Sequence, residues 1–296
     1  MSSASDPQSE IPAPRVAFSV NRLSKRVQTA LLSGIIALAI ILASSEIPIY
    51  ILATAILYYA AIEVKELFGG TSKFMAVLSV LGVTVTLYLL QYITHIDTPF
   101  IALAAVIIGT IGVTLRIRRQ KPHFLDALAL GWLAGPMACA LWLHNESADT
   151  TKIFSPNLLA LVALPLWLGD AAAYYIGKKY GKKLLAPTIS PKKTVEGAIA
   201  NFVTCTASSF LIGHILNLNL DRPIPLVAIL ATGMMTGILG QLGDLLESAL
   251  KRSVGIKDSG TILPGHGGIL DRIDSFLFAA VPASIILWIL ARNSFM

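Results

Sequence analysis

Residues 223–250 read PIPLVAILATGMMTGILGQLGDLLESAL, an apolar run of 28 residues with its charges gathered at one end. A helix rises 1.5 Å per residue, so about 20 residues cross a hydrocarbon core of roughly 30 Å. The run is therefore long enough to cross a bilayer and too long to stop inside one. Its last two turns must project into water or an aqueous cleft. Asp244, Glu247 or Ser248, and Lys251 just beyond share one helical face there, since residues three and four apart are neighbours. An amphipathic helix end dipping into water would show the same stripe. Here the stripe follows an apolar run rather than a surface loop, and charges at membrane depth default to function.

Similar runs recur outward from this one. The spacing predicts nine membrane helices, at about 27–44, 47–64, 74–94, 99–116, 125–144, 156–177, 196–217, 223–250 and 271–291. The chain of 296 residues is 55% hydrophobic and only 14% charged, against about a quarter charged in soluble domains. The expected fold class is an all-α polytopic integral membrane protein, because lipid obliges each span to satisfy its own backbone. Residues 1–26 form a polar and basic N-terminal tail, with 1–14 of disordered composition. Residues 27–150 hold spans one to five, and 151–296 hold spans six to nine as a C-terminal catalytic region. Cys139 and Cys205 sit alone in apolar runs and read as small buried hydrophobes.

Lysine and arginine set the orientation. With the N-terminus in the cytoplasm, all but Lys152, Arg222 and Arg292 fall on the cytoplasmic side, which is 20 of 23. The net charge of +6 is thus concentrated on one face, where nucleotides and anionic head groups are found. No nucleic-acid partner is expected. A polar active-site cleft is expected at that face. The N-terminal tail lacks a transit-peptide composition, which leans toward a bacterial plasma (inner) membrane.

Three polar clusters point to one chemistry. The first is the stripe above. The second, DRIDS, places Asp271 and Asp274 on one face at a helix N-terminus, where the dipole favours carboxylates. Asp271 alone could be a cap. Two carboxylates facing one way, with Asp244 in the neighbouring span, suit a hard cation such as Mg²⁺, which keeps waters and takes phosphate as a further ligand. The loop between holds Gly260, Gly265, Gly267 and Gly268, with Lys251, Arg252, Lys257 and Arg272 around it. His266 could bind phosphate, act as acid or base, or cap the turn. The third cluster runs from Asp170 through a loop with six lysines to SPKKTVEG at 190–197. Thr194 and Glu196 there could equally cap the next helix. Carboxylates for a metal, cations for phosphates and glycine-rich backbone together describe phosphoryl or nucleotidyl transfer to a lipid.

Ser248, Lys251–Arg252, Lys257–Asp258, Pro264, His266–Gly267–Gly268, Asp271–Arg272 and Asp274 match SxxKRxxxxKDxxxxxPxHGGxxDRxD at every fixed position. This resembles the signature of the phosphatidate cytidylyltransferase, or CDP-diacylglycerol synthase, family. The blocks GDAAAYYIGKKYG and SPKKTVEG are similar too, while residues 1–150 match only in being hydrophobic. The resemblance implies that CTP and phosphatidate give CDP-diacylglycerol and pyrophosphate with Mg²⁺. It implies metal binding by Asp244, Asp271 and Asp274, with room for a second cation. Lys251, Arg252 and Arg272 become candidates for the phosphates. Lys257, Asp258 and His266 belong to the signature without an assigned role. Ser190, Lys193, Thr194 and Glu196, with Gly267 and Gly268, would line the nucleotide cleft. A homodimer is suggested by the family alone. The alternatives are a cytidylyltransferase or CTP-dependent kinase acting on another lipid and, more remotely, an ion transporter. Transport predicts charges along a path through several spans, whereas these gather at one end.

Overall fold

A computed structural model describes residues 32–67, 97–119, 131–146, 152–153, 155, 157–218, 220, 222–260, 262 and 267–295. The helices are α1 (Leu32–Leu42), α2 (Glu46–Leu67), α3 (Thr98–Arg119), α4 (Gly131–Asn145), α5 (Leu158–Tyr180), α6 (Val195–Asn217), α7 (Leu226–Ser253) and α8 (Leu270–Phe295). They fall on eight of the nine expected spans. The expected span at 74–94 and the N-terminal tail lie outside the described residues, as does His266. Among the described residues five helices, α2 and α5 to α8, are long and apolar enough to cross a membrane.

The mostly helical structure agrees with the all-α expectation, and one small hairpin is added to it. Between α5 and α6 the lysine-rich loop folds into an antiparallel hairpin, β1 (Leu184–Ala186) with β2 (Ser190–Thr194). Leu184 pairs with Thr194 and Ala186 with Ser190. The run APTIS supplies the turn, where the Ile189 N–H donates to the Ala186 carbonyl at 3.2 Å. Short strands of this kind, outside the apolar runs, leave no periodic signal in the sequence.

Local chemistry fixes the helix ends. Asn157 caps α5 by accepting from the Ala160 N–H at 3.1 Å, and its amide donates to the Ile41 carbonyl at 2.6 Å. One side chain thus starts a helix and ties it to α1. At the same end His144 meets the Ala43 carbonyl at 2.7 Å. Asn217 closes the 218–225 turn by accepting from the Ile224 N–H and donating to the Ile224 carbonyl.

The largest apolar cluster among the described residues joins Ile41 and Ile49 to Leu143, Leu161, Leu216, Ile229 and Leu287, so α1, α2 and α4 to α8 share it. A second joins Ala60 and Val64 of α2 to Leu133 of α4 and Leu277 of α8. Cys139 and Cys205 are free and buried, as expected. Small residues let helices approach closely in a membrane. At Gly243 of α7 an added Cβ would lie 2.8 Å from the Asp274 carbonyl oxygen of α8. That close approach brings the charged ends of α7 and α8 together.

Candidate active site

The charged end of the bundle is built from the C-terminal turns of α2, α5 and α7, the first turns of α6 and α8, and the hairpin. The α8 N-terminus is closed by two carboxylates. Asp271, in the first turn of α8, accepts from the Gly268 N–H at 2.8 Å. Glu63, from α2, accepts from the Ile269 and Leu270 N–H groups, both at 2.8 Å. Gly267 adopts φ +82°, a left-handed conformation natural to glycine. A Cβ on Gly268 would collide with Ser259 Oγ and the Glu63 carboxylate. Gly267 and Gly268 therefore shape this closure, and the Gly268 N–H is given to Asp271. Gly268→Ala should destabilise the protein by about 1–3 kcal/mol, as overpacking does. A thermal melt in detergent measures it, and an unchanged midpoint would contradict the packing.

Lys251 joins α7 to α8. Its ammonium lies 2.5 Å from Glu247 Oε2, one turn back, and 2.5 Å from Asp271 Oδ1. Lys251 is 8% exposed and Glu247 1%. Among the described residues neither Glu247 oxygen has a well-formed hydrogen bond, so the ion pair is what compensates that buried charge. Asp271 also accepts from the Ser259 N–H, at 3.1 Å to Oδ2. Two residues expected to hold phosphate and metal, Lys251 and Asp271, thus face each other. Each already answers part of the other's charge.

The remaining acids stand a turn away. Asp274 of α8 is within electrostatic reach of Asp244, Glu247 and Asp170. Asp170 in turn feels Asp244, Lys193 and Arg272. Lys193, on β2, forms an ion pair with Asp244 Oδ2. Ser248 Oγ lies 3.4 Å from Asp244 Oδ1. Asp274 Oδ1 accepts from the Ser275 N–H at 2.7 Å. Among the described residues no three His, Cys, Asp or Glu side chains converge to hold a metal by themselves. Mg²⁺ does not require such a cage: it commonly takes one or two carboxylates, waters and substrate phosphates. The donor set of Asp244, Asp274 and Asp170 fits that ion.

The hairpin is held in place from α6. Thr194 caps α6 by accepting from the Gly197 N–H at 3.1 Å, and Glu196 accepts from the Lys183 N–H at 3.4 Å. The capping reading of Thr194 matches this geometry, whereas Glu196 ties the first turn of α6 to the chain entering the hairpin. Ser190 opens β2. Arg252, Lys257, Asp258 and Arg272 are exposed around the acids, and the Arg252 guanidinium donates to the Ile256 carbonyl at 2.8 Å.

Residues 24–290 match the cytidylyltransferase family, nearly the whole chain. The chain belongs to this family. It is 50% identical over 113 residues to the phosphatidate cytidylyltransferase of Bacillus subtilis (strain 168), covering 38% of this chain and 40% of the relative. It is 45% identical over 124 residues to the protein of that name from Staphylococcus saprophyticus, covering 42% of this chain and 46% of the relative. It is 40% identical over 161 residues to the uncharacterized protein YnbB of Escherichia coli (strain K12), covering 53% and 52%. The chain spans about half the length of these curated relatives.

Three site residues of this cytidylyltransferase-family chain escape the sequence reading. Glu63 does so although an acid near the end of an apolar run is itself a signal. Asn201 and Gln241 look like ordinary polar residues in a helix. Asn201 donates to Asp170 Oδ1 at 3.1 Å and accepts from Gln241 Nε2 at 3.2 Å. A polar chain therefore runs from α7 through α6 to α5 and holds the Asp170 carboxylate in place.

Proposed function

We propose that this chain is a phosphatidate cytidylyltransferase, converting CTP and phosphatidate to CDP-diacylglycerol and pyrophosphate. The observation that carries the reading is the family match over residues 24–290, joined to acids and cations gathered at one end of an apolar helix bundle. The similar proteins of that name add to it. In this reading a phosphatidate oxygen attacks the α-phosphorus of CTP, and the bond to the β-phosphate oxygen breaks as pyrophosphate leaves in line. A phosphomonoester's second pKa is near 6, so the nucleophile is largely ionised at pH 7 and needs no general base. The protein's work is positioning and charge neutralisation.

Asp244 and Asp274 would hold Mg²⁺, with Asp170 close by. Asp271 would join them while sharing its charge with Lys251. A bound Mg²⁺ supplies positive charge for the triphosphate oxygens. Arg252, Lys257 and Arg272 are placed to meet phosphates, and Lys193 reaches them by leaving Asp244. The positive-inside rule supports a cytoplasmic position for this end, and the composition of the N-terminal tail leans toward a bacterial inner membrane. The homodimer remains part of the proposal.

Pyrophosphate release by the purified protein in detergent tests the reading. Release is expected only when CTP, phosphatidate and Mg²⁺ are all present. Release of CDP instead would indicate a kinase. No release from folded protein with phosphatidate, but release with another phospholipid, would move the acceptor and leave the site.

A further inference from the structure

The signature segment 257–274 lies in the C-terminal half of the chain, yet its anchor lies in the second helix. Glu63 is 1% exposed. Besides the Ile269 and Leu270 N–H groups, its carboxylate accepts from Ser259 Oγ, at 2.8 Å to Oε2. Both ends of the loop, Ser259 and Ile269–Leu270, thus close on one side chain. Gly260 and Gly268 leave the space it occupies: a Cβ on Gly260 would lie 2.6 Å from Glu63 Oε1.

We infer that Glu63 is a positioning residue for the transfer reaction: it pins the loop so that Lys257, Asp258 and the first turn of α8, with Arg272 and Asp274, hold a fixed relation to the acids of α7. Three donors converge on a buried carboxylate, and the charge is what suits it to them. Both oxygens accept, and the two backbone donors belong to a helix N-terminus, which favours an anion. An amide in the same place would turn its NH₂ group either toward the Ile269 N–H or toward Ser259 and the Leu270 N–H. Ser259 could rotate to accept, but the backbone N–H could not. That the pinned groups serve nucleotidyl transfer rests on the proposed activity. The pinning itself does not.

The test uses the full-length protein in detergent, with Glu63→Gln and the milder Ser259→Ala. Trypsin reads the loop directly, because Arg252 and Lys257 are exposed. Glu63→Gln is expected to speed cleavage at those two sites at least fivefold, with cleavage elsewhere unchanged. Turnover should fall at least tenfold, mainly in kcat, with the CTP KM within threefold of the parent. Ser259→Ala, which removes one donor of three, should show both effects at two- to fivefold with an unchanged melting midpoint. Should Glu63→Gln fail to fold, Ser259→Ala alone decides. Turnover within twofold in the variants that fold, or cleavage accelerated equally along the whole chain, would overturn the inference. If the parent itself releases no pyrophosphate from CTP and phosphatidate, the activity reading fails, and loop-local cleavage still decides whether Glu63 is the anchor.

Discussion

Lys251→Met is expected to destabilise the protein by about 3–5 kcal/mol, because removing one partner of a buried ion pair strands the other. Here two partners are stranded, Glu247 and Asp271, each 2.5 Å from the ammonium. They do not suffer alike. Asp271 keeps its bonds from the Gly268 and Ser259 N–H groups, whereas Glu247 keeps no well-formed hydrogen bond among the described residues. Most of the loss should therefore come from Glu247. Adding Glu247→Met to Lys251→Met should recover the larger part of it, since an apolar replacement of a buried pair is often neutral. Thermal melts of the two variants in detergent measure the recovery. A double variant as unstable as the single one would show that Glu247 does not depend on Lys251.

The second large effect concerns turnover. Asp244→Asn and Asp274→Asn are each expected to lower pyrophosphate release by about 100-fold or more while leaving the melt near that of the parent, the scale of losing one preorganised electrostatic contact. Neither side chain carries the α7–α8 link. Asp271→Asn should lose both activity and stability, because it breaks with Lys251 and weakens the acceptor of the α8 cap. Mg²⁺ titration of each variant separates the roles. Near-normal turnover at ordinary Mg²⁺ in Asp244→Asn or Asp274→Asn would remove that residue from the metal site. A parent-like melt for Asp271→Asn would show that the Lys251 link adds nothing to the fold.

The spans were legible because lipid imposes length and apolarity, which a sequence displays directly. Residues 223–250 announced their own crossing and their own excess, and α7 carries its charges in its last turns. Asp271 and Asp274 were legible as a pair on one face, with Asp244 as a third carboxylate in the neighbouring span, and the Gly243 contact between α7 and α8 brings these helix ends together. The partners were not legible. Nothing in the spacing says that Lys193 would choose Asp244, or that Lys251 would sit between Glu247 and Asp271. Such choices depend on helix rotation and on an added hairpin, which helical periodicity does not encode. Glu63 was visible as an acid in an apolar run, but its donors lie too far along the chain for any local pattern to join them.

That distance has a consequence for how the protein is made. Glu63 is separated from Ser259 by 196 residues and from Leu270 by 207. At about 5–20 residues per second, a ribosome takes on the order of 10–40 s to bridge that gap. Throughout it, the second helix carries a carboxylate whose partners have not been synthesised. The three hydrogen bonds on Glu63 can form only after α8 begins to emerge, so a chain cut short before that point lacks the tie between α2 and the segment that leads into α8.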